Sequence, residues 1–218
     1  MLHTSALGKG VDQGQVEGSY FGSEPHLVVV DNLLSQDALL RLRAFCREAT
    51  IWKDVQPGYL GAYLQDGFCE PLLLQIAQEL RQRLPAILAN HPLIEMWSYK
   101  CDSDLSGLDK HADRAAVNVS FWISPDKTNR QPDSGGLEVF KTEAPLNPDL
   151  RRHNNEQEAI DQLLNAEGRD SITIPYRSNR AVIFNSNLFH KTDDCYFRSS
   201  YINRRTNITM LFGHRYNR

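Results

Sequence analysis

The sequence predicts a mainly β domain, an antiparallel sandwich or barrel, with packing helices on its N-terminal side. Three observations carry this. From Glu95 onward, short runs rich in β-branched and aromatic residues alternate apolar with polar, and Gly, Pro, Asn and Asp separate them. Before that point, two apolar stripes recur at helical spacing. The chain has 218 residues with 41% hydrophobic content, enough for one sizeable core; by size scaling such a domain buries roughly 70% of its unfolded surface.

Residues 1–24 carry Gly8, Gly10, Gly14, Gly18 and Gly22 among polar residues, a composition expected to form a flexible N-terminal segment. A single domain is expected over 25–218, opening with a helical lead-in over 25–94. There "HLVVVDNLL" reads as a short strand. Ser35 is a good N-cap for a helix whose Leu39, Leu42, Phe45, Cys46 and Ala49 share one stripe. A second helix follows Pro71, with Leu73, Ile76, Ala77, Leu80 and Leu84 on its apolar face, and Pro85 ends or kinks it. Both stripes are expected to be core.

The strands follow: "EMWSYKC", "AAVNVSFWIS", "GGLEVF", "SITIPY", "RAVIFNS" and "NITMLFG". A polar insertion over 141–170 interrupts them, with a short helix expected from about Glu156 to Ala166 that Gly168 stops. Such an insertion is either a lid over a site or surface decoration.

Charge and composition exclude several classes. The formal net charge is −3, the pI is about 6.2 and the basic residues are scattered, so neither nucleic acid nor a membrane surface is an expected partner. The apolar run "LVVV" is too short and too far from the N-terminus for a signal-peptide core, and a cytoplasmic location is expected. Cys46, Cys69, Cys101 and Cys195 lie far apart without a CxxC pair, which argues against a structural zinc site and a dense disulfide framework.

One stretch, "KHADRAAVNVSFW", places His111 and Asp113 two residues apart at the entrance to an alternating run. In extended backbone, positions i and i+2 point the same way, so imidazole and carboxylate can converge on one point. A turn with two solvated polar residues is the other reading. Further on, "RAVIFNSNLFHKTD" puts His190 just past an apolar strand, and "NRRTNITMLFG" puts Arg205, Asn207 and Thr209 on one face and Thr206, Ile208, Met210 and Phe212 on the other. That polar face is either solvated or lines a pocket, with Arg205 presented for bidentate pairing with a carboxylate. Two histidines and one carboxylate on one side of a metal leave the opposite positions free, the arrangement that suits non-haem ferrous iron. The other histidines, His3, His26, His91, His153 and His214, lack a carboxylate at i+2.

The stretches "WSYKCDSDLSGLDKHAD", "SGGLEVF", "NRAVIFNSNLFH" and "NRRTNITMLF" resemble the 2-oxoglutarate and Fe(II)-dependent oxygenase superfamily, with most similarity to its prolyl-4-hydroxylase-like branch. "LVVVDNLLSQDALLRLRAFC" looks like the strand and helix that often precede that core. The resemblance covers about residues 95–214 and implies a double-stranded β-helix core there, jelly-roll and cupin-like. It implies His111, Asp113 and His190 as catalytic ligands of Fe(II), with Arg205 pairing the far carboxylate of the cosubstrate 2-oxoglutarate and dioxygen as the oxidant. The implied activity hydroxylates a small molecule or a peptidyl side chain and releases succinate and carbon dioxide. Related halogenases lack the carboxylate, so Asp113 points to hydroxylation or another oxidation. Asn207, Asn118 and Tyr99 are the further candidates for cosubstrate binding. Ser120 shares the strand face of Asn118, and both could instead be a satisfied buried pair; Tyr99 could be packing. Arg205 is preferred to Arg204 on phase, and Asn185 is a candidate to support the ring of His190. Lys110 and Arg114 flank the ligands, where solvation is the default. The insertion and the loop "DSDLSGLD" depart from the family pattern and leave the substrate open. Two other classes stay open: a non-catalytic jelly-roll binding module that keeps the scaffold for recognition, and a zinc hydrolase using the same three ligands with a bound water as nucleophile.

Overall fold

The alternating runs close into facing antiparallel sheets in the computed structural model, which describes residues 4–145 and 157–215. The larger sheet contains β1 (Leu27–Asp31), β2 (Asp54–Gln56), β3 (Tyr59–Tyr63), β4 (Leu93–Cys101), β6 (Ala115–Trp122), β9 (Arg180–Asn185) and β12 (Arg205–His214). Its spatial order is β1-β9-β6-β12-β4-β3-β2. A smaller sheet, ordered β10-β7-β8, is built from β7 (Leu137–Glu143), β8 (Ser171–Ile174) and β10 (Leu188–Thr192). The short β5 (Asp104–Leu105) pairs with β11 (Cys195–Tyr196). This is the double-stranded β-helix, or jelly-roll.

Register sorts the side chains of the larger sheet. Ser120 of β6 lies opposite Thr209 of β12, and Trp122 lies opposite Asn207. Because strand side chains alternate, Val117, Val119, Phe121, Ile208, Met210 and Phe212 turn to the helical side and form one core with it. Asn118, Ser120, Trp122, Arg205, Asn207 and Thr209 turn to the other face. There Trp122, Val182 and Phe184 meet Leu137, Val139 and Leu188 of the smaller sheet in a second core. A slip of one residue would put the arginine among the helices and the methionine in the pocket.

The helical layer is α1 (Gln13–Gly22), α2 (Gln36–Glu48), α3 (Pro71–Arg83) and α4 (Pro85–Leu88). The Ser35 hydroxyl accepts from the N–H of Ala38 and caps α2, whose Leu39, Leu42 and Cys46 are buried. In α3 the expected stripe of Leu73, Ile76, Ala77 and Leu80 is buried, and Pro85 ends it by starting α4. Among the described residues no helix is long and apolar enough to cross a membrane.

Three features depart from expectation. The N-terminal segment is not loose where it is described: Ala6, Leu7, Val11, Val16 and Tyr20 join the helical core, and Asp12 caps α1. Gly8 and Gly10 serve close approach rather than freedom, since a Cβ would sit 2.4 Å from the Asn32 carbonyl oxygen at Gly8 and 1.7 Å from the Asp31 carbonyl oxygen at Gly10. A β2–β3 hairpin turning on Pro57 and Gly58 extends the larger sheet, from a stretch too short and polar to announce itself. Finally, the helix of the insertion, α5 (Gln157–Ala166), ends near Gly168 at φ +89° as expected but lies against the sheet. Its Ile160 and Leu164 are fully buried with Ala112, Phe140, Ala144 and Phe189. Residues 146–156 of the insertion lie outside the described residues, as do His3 and His153.

Candidate metal centre

His111 enters from the loop before β6, and His190 sits within β10 rather than beyond a strand. Their backbones form an isolated antiparallel bridge: the His111 N–H donates to the His190 carbonyl at 3.0 Å and the His190 N–H returns the bond at 2.8 Å. The bridge sets the two rings 4.4 Å apart between centroids. Asp113 is anchored by its own N–H on the Ser186 carbonyl at 3.1 Å. One donor atom from each of His111, Asp113 and His190 lies within 4.8 Å of the others, so the three residues named from sequence do converge.

The hydrogen bonds behind the rings decide what the rings present. His111 Nδ1 lies 2.9 Å from the Asp109 carbonyl and His190 Nδ1 lies 2.9 Å from the Leu188 carbonyl. A carbonyl only accepts, so in each neutral ring Nδ1 carries the hydrogen and Nε2 presents its lone pair. Those Nε2 atoms face Asp113, at 3.9 Å from Oδ1 for His111 and 3.4 Å from Oδ2 for His190. Burial, and then the neighbouring His190, hold the His111 imidazole below its usual pKa and so in the neutral form. Burial alone would raise the Asp113 carboxyl, yet it lies below the ordinary carboxylate range: His190 and then His111, when their rings are protonated, lower it, and the Asn118 amide donates to it at 2.7 Å. Two imidazole nitrogens and one carboxylate are the donors a divalent ion takes, and the set fits ferrous iron.

The same cavity reaches Arg205, with Trp97, Tyr99, Leu108, Leu137 and Thr192 among its other walls. Arg205 is 1% exposed and makes no ion pair with any described carboxylate. Its Nε donates to the Gly135 carbonyl at 2.5 Å, Nη2 to the Gly136 carbonyl at 3.0 Å and Nη1 to Asn207 Oδ1 at 3.1 Å. Nη1 also contacts Cys101 Sγ at 3.8 Å, and hydrogen bonding from Cys195 followed by the charge of Arg205 lowers the pKa of that thiol to about 7. No described carboxylate pairs with the guanidinium, which leaves it suited to an incoming anion. Sequence reading took "GGLEVF" for strand alone and missed the carbonyl cradle. Gly135, at φ +78°, turns its carbonyl to the guanidinium, and a Cβ at Gly136 would meet the Ile174 oxygen at 1.8 Å.

A continuous chain of hydrogen bonds joins the guanidinium to the carboxylate. Asn207 Nδ2 donates to Thr209 Oγ1 at 3.3 Å, and the Thr209 and Ser120 hydroxyls lie 3.0 Å apart. Ser120 donates to Asn118 Oδ1 at 3.0 Å, and Asn118 Nδ2 donates to Asp113 Oδ2 at 2.7 Å. With Thr209 donating to Ser120, every bond points from Arg205 towards Asp113. Asn118 therefore braces the Asp113 carboxylate, and Asn207 braces the arginine.

The remaining candidates separate clearly. Arg204 pairs with Asp102 at 2.6 Å, away from the cavity. The Nδ1 of His190 is held by Leu188, while Asn185 donates to Glu143 at 2.7 Å. Lys110 pairs with Asp161 of α5 at 3.3 Å, and Arg114 is exposed. Tyr99 lines the cavity, its hydroxyl 3.1 Å from that of Tyr63 on the unpredicted hairpin.

No family model matches the chain, and no curated protein matches it by sequence. Solved structures do share its fold. HygX from Streptomyces hygroscopicus, with nickel, 2-oxoglutarate and hygromycin B bound, superposes with a TM-score of 0.62 at 14% identity, over 90% of this chain and 85% of that one. AviO1 from Streptomyces viridochromogenes Tue57 gives 0.61 at 16% identity, over 94% and 96% of the two chains. A prolyl-4-hydroxylase from Pseudomonas putida gives 0.58 at 15% identity, over 93% and 99%.

Proposed function

We propose, from a jelly-roll shared with structures that bind nickel and 2-oxoglutarate and with a prolyl-4-hydroxylase, that this chain is an Fe(II)- and 2-oxoglutarate-dependent oxygenase. Its reaction is hydroxylation of a small molecule or a peptidyl side chain. One observation carries the reading: His111 and His190, whose donor atoms lie within 4.8 Å of one from Asp113, line one cavity with a buried guanidinium that pairs with no described carboxylate.

His111, Asp113 and His190 would hold the iron. When bound with 2-oxoglutarate, that ion supplies oxygen activation coupled to decarboxylation of the keto acid to succinate and carbon dioxide. The rest is the work of the chain. Arg205, its plane fixed by Gly135, Gly136 and Asn207, meets the far carboxylate of the keto acid and has its buried charge neutralised. Asp113 fills with a carboxylate the place a halide would need, which favours hydroxylation. Trp97, Leu108 and Leu137 line the walls with apolar surface and limit water there. A reducing, cytoplasmic setting suits the four free thiols.

The test is turnover. Chain loaded with Fe(II) and supplied with 2-oxoglutarate in air is expected to release succinate faster when the right amino acid, peptide or metabolite is added. Bound Fe(II) with no succinate under any of these conditions would instead favour a binding module.

A further inference from the structure

The opposite face of the larger sheet carries a second cavity, of about 270 Å³, between α2, the segment after β6 and the turn at Tyr201–Asn203. Its walls include Arg43, Arg47, Lys100 and Lys127, and no carboxylate side chain is among its described lining residues. Acidic groups stand only nearby: Glu48 pairs with Arg47 at 2.6 Å, and Asp126 accepts the N–H of Ser178.

Lys100 is the unusual member. Alternation along β4 puts Tyr99 in the metal cavity and Lys100 on the helical side, where it is 3% exposed. No described carboxylate lies within ion-pair distance of it. Its ammonium donates to the Cys46 carbonyl and lies over the rings of Trp52 and Tyr201, 4.4 and 3.8 Å from their centroids. Burial pushes its pKa down to about 8, the mark of a charge with poor compensation. At the rim, Ile202 is 67% exposed and Tyr201 40% exposed, so apolar surface stands beside the cationic floor.

We infer that this cavity is a second binding site, for a small organic anion whose phosphate or carboxylate meets Lys100 and the α2 arginines while its apolar body lies against Tyr201 and Ile202. Among the described residues no cluster of three ligand-type side chains stands beside this cavity, and the inference is of binding alone.

Calorimetric titration of the full chain with phenyl phosphate, benzoate and inorganic phosphate tests this. One saturable site is expected for phenyl phosphate or benzoate, weakened about tenfold or more by Lys100→Met and unchanged by Arg205→Ala. The tighter of the two probes identifies the anionic group. If Lys100→Met does not fold, Arg47→Gln combined with Lys127→Gln carries the test, with a several-fold loss expected. No saturable binding of any probe, binding lost in Arg205→Ala but kept in Lys100→Met, or inorganic phosphate matching phenyl phosphate would each overturn the proposal.

Discussion

At the scale of single residues, the centre is a balance of charges held by neutral groups. Replacing His190 by Ala removes one of three donors and leaves the sheet pairing of β10 in place. Metal binding by calorimetry should fall below detection while the thermal melt stays cooperative; retained affinity would remove His190 from the ligand set. Arg205→Ala should weaken 2-oxoglutarate by roughly 10- to 100-fold, the value of a charge-assisted pair, and Arg205→Lys should recover part of it. The hydrogen-bond chain gives a finer test. Ser120→Ala leaves Asn118 Oδ1 without its donor, so the amide is free to turn its oxygen towards Asp113. A loss of about tenfold in metal affinity is expected, as for other groups that orient ligands. Unchanged affinity would show that Asn118 needs no brace. Asn118, Ser120, Asn207 and Thr209 were legible in the sequence as one polar face. Their linkage was not, because it depends on which residues of β6 and β12 stand opposite each other.

Elements explain why such a site keeps its shape. The helix α5 packs Ile160 and Leu164 against Ala112, which lies between His111 and Asp113, and Phe189, which precedes His190. Gln157 adds a reciprocal pair of bonds to the backbone of Lys110, at 3.0 Å to its N–H and 2.8 Å to its carbonyl. The described part of the insertion is thus a buttress behind the centre. Ile160→Ala should cost about 2 to 5 kcal/mol of stability by opening a cavity. It should also weaken the metal, and a metal affinity untouched by this substitution would separate helix from site. The helix itself was readable from its spacing, with Gly168 as its stop. Its docking was not, since a two-residue apolar stripe does not say which surface it meets. The loop glycines were misread for a related reason: composition suggests freedom, whereas Gly8 and Gly10 sit where neighbouring carbonyls leave no room for a side chain.

For the whole molecule, the sheet edge ties the N-terminal strand to the core. Arg180 of β9 holds Asp31 of β1 through bonds of 2.7 and 3.0 Å, and these, with Arg177, keep the Asp31 carboxyl below its usual pKa. A carboxyl lowered by folding adds stability above its unfolded pKa and loses it as the pH falls through the folded value. Asp31→Asn should therefore lower stability at neutral pH and flatten the acid limb, the two stability against pH profiles converging at low pH; a variant profile identical to the parent's would contradict this pairing. The jelly-roll was legible because alternation and turn residues persist through β4, β6, β9 and β12, while the hairpin at Asp54–Tyr63 carries too few alternating residues to stand out. The claim beneath all of this is that the two halves of the cavity serve one keto acid. Anaerobic addition of 2-oxoglutarate to the Fe(II)-loaded chain measures that directly. A weak visible charge-transfer band should appear, vanish in His190→Ala and need far more 2-oxoglutarate in Arg205→Ala. A colourless mixture with iron bound, or a band indifferent to Arg205, would contradict it.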